Sequence, residues 1–158
     1  MRENEGYKLR VAIAPDLEPI RGLLPRLADF DLPAGRFAED VWRGDDDMFR
    51  QWANGKREDL EVIVAEDTNK RISGVVAIAM RKDAIADAAS SHLEVLMIGK
   101  SDEGRGLGAR LIKTAESRAR ELGATSMTLN VFAANQQARR LYEKSGFYSE
   151  VVRYNKWL

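Results

Sequence analysis

The sequence predicts an α/β fold of the α+β kind, in which a mixed, mostly antiparallel sheet of six to seven strands is flanked by about four helices. Two observations lead to this prediction. Segments rich in Val and Ile alternate along the chain with segments of helical periodicity, and a polar turn joins two neighbouring strand-like segments as a hairpin. The 158 residues contain no repeat and no linker, so we expect a single domain over residues 1–158.

The first half of the chain contains two helical segments between strand-like ones. In order, the pattern predicts a strand at 7–13, a helix at 17–27, a helix at 36–53 and a strand at 61–66. Residues 71–80 are again rich in Val and Ile, and the turn at 67–70 is polar. The strands on either side of this turn are therefore expected to pair antiparallel.

The second half begins with a strand that runs into glycines. The pattern predicts a strand at 93–98, an amphipathic helix from Leu107 to Leu122, a strand at 125–131, a helix capped by Asn135 and ended by Gly146, and one or two closing strands from Phe147 onward. Because strands and helices alternate here, the helices are expected to cover the faces of the sheet.

Composition excludes several classes of protein. The chain has no cysteine and a single histidine, which leaves no disulfide, no thiolate nucleophile and little basis for a metal site. It has no apolar run of about 18 residues and no leader, so we expect a cytoplasmic protein without a membrane partner. A net charge of zero argues against a nucleic-acid partner.

The most informative segment is the glycine turn that follows the strand at 93–98. It reads Glu103-Gly104-Arg105-Gly106-Leu107-Gly108-Ala109 and leads directly into a helix. Glycines let several backbone N–H groups at a helix N-terminus point at one anion, so the turn predicts a phosphate cradle. The string lacks the Lys-Ser/Thr of a nucleoside-triphosphate loop, and its spacing and late position disfavour a dinucleotide fold.

A second segment narrows the choice among types of phosphate-binding turn. The run from Asn135 to Phe147, Asn-Gln-Gln-Ala-Arg-Arg-Leu-Tyr-Glu-Lys-Ser-Gly-Phe, follows the turn by one strand. Together the two segments resemble the GNAT superfamily of acetyl-CoA-dependent N-acetyltransferases, whose turn has the form Arg/Gln-x-x-Gly-x-Gly/Ala and whose second signature is Asn-x-x-Ala-x-x-Leu-Tyr-x-Lys-x-Gly-Phe. The resemblance is close over residues 93–148, and it implies the GNAT acyltransferase fold with acetyl-CoA as co-substrate and no metal.

The resemblance also implies which residues bind the cofactor. Backbone groups of Met97 and Ile98 would pair with the pantetheine arm, and the phosphates would lie against the turn and the residues that follow it, with Asn135 and Tyr142 completing the cofactor site. The implied turn residues are Glu103, Gly104, Arg105, Gly106, Leu107, Gly108 and Ala109. Glu103 departs from the family pattern of Arg or Gln, and we expect its side chain to point to solvent.

Three residues are candidates for proton transfer. An amine is protonated at neutral pH and must lose a proton before it attacks, so a base is needed. His92 and Glu94 lie two residues apart on one strand, hence on one face, and either could serve. The alternatives are an edge histidine and a hydrogen-bonded core carboxylate. The resemblance implies Tyr142 as the acid that protonates the leaving thiolate, and the alternative is a packing role for its ring.

The acceptor is not fixed by the sequence. We expect the primary amine of a small molecule or a peptide. Asp45, Asp46 and Asp47 lie near Trp42, Phe49 and Trp52, an arrangement that fits a cationic amine but equally a solvated helix end with core aromatics. A non-catalytic acyl-CoA-binding or regulatory module and an enzyme that acetylates protein N-termini or lysines stay open, and so does a homodimer.

Overall fold

The computed structural model describes residues 6–158, and a five-stranded sheet forms its centre. The strands are β1 (Tyr7–Val11), β2 (Leu60–Asp67), β3 (Ile72–Lys82), β4 (Ala89–Ile98) and β5 (Met127–Leu129), in that spatial order. The first four strands pair antiparallel, and β5 pairs parallel to β4. The predicted mixed, mostly antiparallel sheet is therefore confirmed, with one strand fewer than the lower end of the expected range.

The helices cover both faces of the sheet. They are α1 (Leu17–Leu23), α2 (Ala38–Ala53), α3 (Leu107–Glu121) and α4 (Gln136–Lys144). Short 3-10 turns stand at Ala14–Asp16, Leu24–Ala28 and Lys100–Asp102. One apolar cluster lies between the sheet and α1 and α2, and a second lies between the sheet and α3. The alternating side chains of β2, β3 and β4 divide between these two clusters, as the two-residue period of a strand requires.

Local chemistry explains the element boundaries. The polar turn between β2 and β3 is closed by the side chain of Asp67, which accepts hydrogen bonds from the backbone N–H groups of Asn69 (2.9 Å) and Arg71 (3.0 Å). Asn135 caps α4 as predicted, since its Oδ1 accepts from the N–H of Ala138 at 3.2 Å. The first predicted helix is shorter than expected because it tightens into a 3-10 turn at Leu24-Pro25, where proline cannot donate a helical hydrogen bond.

The strands expected after Phe147 do not form. Residues 148–158 have no regular secondary structure and are exposed to solvent. In this segment Trp157 donates from its indole nitrogen to the carbonyl of Ala34 at 3.1 Å, and the Arg36 guanidinium lies over its ring. The period-two pattern is present in the sequence, but no strand among residues 6–158 pairs with this segment.

Candidate functional site

The glycine turn has the backbone form of an anion cradle. Gly104 and Gly106 have φ angles of +71° and +75°, values that residues with a Cβ rarely adopt. A Cβ added at Gly104 would face open space. Gly106 is the N-cap of α3 and, among the described residues, no side chain caps this helix. The first N–H to bond within the helix is that of Arg110, to the carbonyl of Gly106 at 3.2 Å.

The N–H groups of Leu107, Gly108 and Ala109 precede that first bond, so helix geometry gives them no acceptor inside α3. A helix N-terminus carries a partial positive charge, and free N–H groups there bind anions. The side chain of Leu107, by contrast, is buried in the core. The turn therefore offers backbone donors to an anion.

Gly108 has a second role that spacing alone did not reveal. A Cβ at this position would lie 2.9 Å from Cδ2 of Leu141. The missing Cβ lets α4 pack closely against the first turn of α3. As a result Tyr142, the residue after Leu141, lies beside the helix that forms the cradle.

A buried carboxylate supports the turn from below. Asp102 is 2% exposed and accepts hydrogen bonds from the Tyr7 hydroxyl at 2.7 Å and from the Arg71 guanidinium at 3.0 and 3.2 Å. Burial opposes ionisation of Asp102, but the hydrogen bonds from Arg71 and Tyr7 outweigh it and lower its pKa. Arg105 of the turn donates to the Tyr7 hydroxyl at 2.8 Å. This chain of contacts ties the cradle to β1.

The side chain of Glu103 does not point to solvent as expected. It accepts a hydrogen bond from Arg26, and the ammonium of Lys100 lies 3.4 Å from its other oxygen. Arg26 also pairs with Asp29 and donates from Nε to the backbone carbonyl of Ile98 at 3.0 Å. The negative charge that breaks the family pattern is therefore compensated by two cations beside the turn.

The outer edge of β4 is open next to the cradle. The parallel ladder between β4 and β5 joins Ser91 to Met127 and ends at Leu93 and Leu129. Beyond Leu93, the outward backbone groups of β4 are those of alternate residues. Because the N–H of Gly99 donates to Ser73 on β3, Ile98 and, two residues earlier, Leu96 face outward.

Met97 lies differently from Ile98. Its backbone faces β3, opposite Val75, and its side chain is buried. Sequence reasoning named Met97 and Ile98 together and missed Leu96, although counting back two residues from Ile98 along the strand would have found it.

A β-bulge places Glu94 at the end of this open edge. On β3 the neighbours Ala77 and Ile78 pair with Val95 and Leu93, so Glu94 is the extra residue on β4. Bulges re-aim a side chain and are common next to active sites. Glu94 forms an ion pair with Arg81, and its side chain is 16% exposed.

His92 is buried on the same strand. Its Nδ1 lies 2.7 Å from the hydroxyl oxygen of Thr128 on β5. Burial lowers the pKa of His92, and the charge of Arg81 lowers it further, against the opposing effect of Glu94. The imidazole is therefore neutral at neutral pH. Glu94 forms an ion pair with Arg81, and the charge of Arg81 acts on the pKa of His92. The two candidate bases therefore lie in one cluster around Arg81.

Within the acidic run on α2, Asp45 and Asp46 have different contacts. Asp46 pairs with Arg21 and Arg50, whereas Asp45 lies close enough to Glu94 of β4 for their charges to interact. Burial, together with the negative charge of Glu94, raises the pKa of Asp45 to about 6. The nearby aromatic residues belong to the core: Phe49 is fully buried, and Trp42 and Trp52 are partly buried against the first apolar cluster. Asp45 is thus the member of the run that approaches the candidate bases.

Tyr142 lies on α4, the helix that packs beside the first turn of α3. Its ring makes an edge-to-face contact with Phe147, with ring centroids 5.9 Å apart. Burial raises the pKa of Tyr142 to about 12, so its hydroxyl carries a proton throughout the neutral range. The side chain can therefore act as a proton donor, and its ring packs in the second apolar cluster as well.

Among residues 6–158, no group of three or more His, Asp or Glu side chains is arranged to hold a metal ion. No helix in this part of the chain is both long and apolar enough to cross a membrane.

Comparison with known proteins places the chain among acetyltransferases. The model of the acetyltransferase (GNAT) family matches residues 25–147. The uncharacterized N-acetyltransferase YdgE of Bacillus subtilis is 44% identical over 55 residues, which is 35% of this chain and 35% of that protein. The putative phosphinothricin acetyltransferase YwnH of the same organism is 27% identical over 97 residues, or 61% of this chain and 59% of its own length. The matches thus span less than two thirds of these relatives.

Solved structures share the fold over nearly the whole chain. A tetramutant of the BH1408 protein from Bacillus halodurans has a TM-score of 0.78 at 18% identity, with 96% of this chain and 99% of that one covered. The aminoglycoside antibiotic 6'-N-acetyltransferase of Acinetobacter baumannii has a TM-score of 0.73 at 14% identity, with 97% and 99% covered. At these identities the likeness shows a common architecture.

Proposed function

As this chain belongs to the acetyltransferase (GNAT) family, we propose that it transfers the acetyl group of acetyl-CoA directly to the primary amine of a small molecule or a peptide. The observation that carries this proposal is a continuous path on the surface. It begins at the uncapped N-terminus of α3, follows the outward N–H of Ile98 and the outward backbone groups of Leu96, and ends at the bulged Glu94.

The cradle holds the diphosphate end of the co-substrate. The N–H groups of Leu107, Gly108 and Ala109 donate to the phosphate oxygens. Gly104 and Gly106 adopt positive φ angles and have no Cβ that would stand between the backbone and the phosphates. Arg105, held by the Tyr7 hydroxyl, adds a positive charge at the same place. The oxygen of Asn135 is used in capping α4, so its amide N–H is the group that faces the cofactor.

The open edge of β4 orients the pantetheine arm. The N–H and C=O groups of Leu96 and the N–H of Ile98 have the spacing of a strand that lacks its partner, whereas the carbonyl of Ile98 accepts from Arg26. An extended chain of amides can pair with these open groups as another strand would. Bound acetyl-CoA would supply the thioester carbonyl that the amine attacks and the thiolate that leaves. Held along this edge, the reactive end lies near the bulge at Glu94.

Glu94 accepts the proton of the attacking amine, directly or through water. A carboxylate at a bulge next to the open edge can reach a bound amine, whereas His92 is buried and its Nδ1 is engaged with Thr128. His92 is the second candidate, because its lowered pKa keeps it neutral and able to accept a proton. Asp45, across from Glu94, adds negative charge that favours a cationic acceptor.

Tyr142 donates a proton to the departing sulfur. Its raised pKa keeps the hydroxyl protonated, and the close packing of Gly108 against Leu141 holds α4 beside the cradle. The chain has no cysteine, so transfer goes from thioester to amine without a cysteine acyl-enzyme.

The proposal is tested by measuring thiol release from acetyl-CoA with a panel of polyamines, aminoglycosides, amino acids, peptides with free N-termini and lysine peptides. We expect release that depends on the amine and a product heavier than that amine by one acetyl group. Acetylation of the peptides alone would assign the enzyme to protein substrates. Binding of acetyl-CoA without release on any amine would identify a non-catalytic module instead.

A further inference from the structure

The guanidinium of Arg26 lies at the junction between the open edge of β4 and the glycine turn. Arg26 belongs to the 3-10 turn that follows α1 and packs against β4. Its Nε donates to the carbonyl of Ile98 at 3.0 Å, and one of its terminal nitrogens donates to the carboxylate of Glu103. Ile98 is the last residue of β4, and Glu103 directly precedes Gly104. Arg26 therefore bonds to both ends of the segment that joins the strand to the turn.

The partners of Arg26 differ in how firmly they are held. Its other terminal nitrogen pairs with Asp29, whose side chain is 52% exposed, against 27% for Glu103. An ion pair with an exposed carboxylate contributes little to stability. The contact with Asp29 can therefore be exchanged for another anion at small cost, while the bonds to Ile98 and Glu103 keep the guanidinium in place.

Arg26 also has N–H groups left for a ligand. Each terminal nitrogen of an arginine carries a pair of N–H groups. In Arg26 one member of each pair bonds to Asp29 or Glu103, within the part of the chain that the structure describes. A guanidinium forms strong, charge-assisted hydrogen bonds with phosphate oxygens. The fixed Arg26 side chain is thus suited to an anion that lies at this junction.

Glu103 acts on this cation. A lone carboxylate next to the turn would repel a phosphate, but that of Glu103 is bonded to Arg26, and the ammonium of Lys100 lies 3.4 Å from its other oxygen. The pattern of the family has Arg or Gln at position 103. In this chain the acidic residue at that position instead holds a cation that comes from another element of the fold.

We propose that Arg26 binds the diphosphate of coenzyme A, that Glu103 positions its guanidinium, and that the diphosphate replaces Asp29 as its third partner. This inference rests on the proposed function, in which acetyl-CoA runs from the cradle to the N–H of Ile98. A molecule that follows this path passes Arg26, because Arg26 bonds at both ends of the same stretch. The 3-10 turn after α1 thereby contributes a side chain to the cofactor site.

Calorimetric titration of coenzyme A into three variants tests the proposal, with circular dichroism to check that each is folded. Arg26→Gln should lower the affinity by about tenfold or more, the effect of losing a hydrogen bond to a charged group. Asp29→Asn, at an exposed side chain, should raise the affinity because it removes a competing carboxylate. Arg21→Gln is the matched control and should change nothing, since Arg21 pairs with Glu18 and Asp46 of α1 and α2.

A double variant tests whether the cation itself is needed. Adding Glu103→Arg to Arg26→Gln returns a guanidinium to the start of the turn, so we expect it to restore most of the lost affinity. Native affinity in Arg26→Gln, lowered affinity in Asp29→Asn, or no recovery in the double variant would overturn the inference. No binding by the native protein would overturn the proposed function as well.

Kinetics with a shortened co-substrate separate phosphate binding from a structural role. S-acetylpantetheine carries the thioester but lacks the diphosphate. In Arg26→Gln we expect kcat/KM to fall for acetyl-CoA and to stay unchanged for S-acetylpantetheine. An equal loss with both would show that Arg26 only fastens the 3-10 turn to β4, which contradicts the proposal.

Discussion

The hydroxyl of Tyr7, on the first strand, donates a 2.7 Å hydrogen bond to Asp102, which lies 95 residues further along the chain and directly precedes the glycine turn in sequence. The same hydroxyl accepts a hydrogen bond from Arg105 at 2.8 Å. One side chain of β1 therefore links the buried carboxylate of Asp102 to the guanidinium of Arg105 in the glycine turn.

Replacing Tyr7 by Phe removes this link and keeps the ring. We expect a loss of about 1.5 to 3 kcal/mol of unfolding free energy, because a hydrogen bond to a buried ionised carboxylate is lost. Coenzyme A affinity should also fall several-fold, since Arg105 loses its partner. Urea unfolding and calorimetry measure the two effects. Tyr148→Phe, at an 80% exposed tyrosine, is the control and should change neither; equal behaviour of the two variants would contradict the link.

Substitution of Glu94 by Gln separates the two candidate bases. The amide keeps the shape of the carboxylate but cannot accept the proton, so we expect the turnover number to fall by about 100-fold or more, the range of a general base. His92→Gln should cost less than tenfold. Steady-state kinetics with the preferred amine gives the comparison. The opposite ranking would assign the base to His92.

Tyr142→Phe tests the proton donor. The ring and its contact with Phe147 are retained, so stability and coenzyme A affinity should be close to those of the native protein. Turnover should fall by about 100-fold or more if the hydroxyl protonates the leaving sulfur. Because the pKa of Tyr142 is raised to about 12, native activity should show no loss from its ionisation up to about pH 10. Unchanged turnover in the variant would leave Tyr142 with a packing role only.

Asp45 makes stability depend on pH in a predictable direction. Its pKa is raised from 3.8 to about 6 in the folded protein, so the folded state binds its proton more tightly than the unfolded chain. The stability that this group contributes is present below about pH 4 and is lost as pH rises through about 6.

Asp45→Asn removes the ionisable group and with it the loss of stability at higher pH. The variant should be more stable than the native protein at about pH 7.5, by on the order of 1 to 3 kcal/mol, with the difference shrinking toward pH 4. Denaturant unfolding at several pH values measures it. A difference that does not change with pH would contradict the raised pKa.

The sequence correctly predicted those elements whose formation depends on residues close to one another along the chain. The hairpin of β2 and β3, the amphipathic α3 and the Asn135 cap depend on residues a few positions apart, and each forms as expected. The sequence of residues 148–158 is equally strand-like, but a strand needs a partner, and pairing is set by the rest of the sheet.

In the candidate site too, features set by nearby residues were predicted, and contacts between distant residues were not. The glycine spacing identified the cradle, whereas its supports come from far along the chain. Arg26 reaches Glu103 across 77 residues, and Tyr7 reaches Asp102 across 95. No periodicity links such pairs. The acidic side chain at 103, which breaks the family pattern, was expected to point to solvent, and only the fold identifies Arg26 and Lys100 as its partners.

The most direct test of the cradle is a calorimetric titration of coenzyme A into the native protein, Gly106→Glu and Gly123→Glu. Both glycines have positive φ angles, +75° and +94°, at the two ends of α3, so the two variants bear similar backbone strain and the same added charge. We predict binding to the native protein and to Gly123→Glu, and none to Gly106→Glu. Retained affinity in Gly106→Glu, or no binding by the native protein, would contradict the assignment of this turn to coenzyme A.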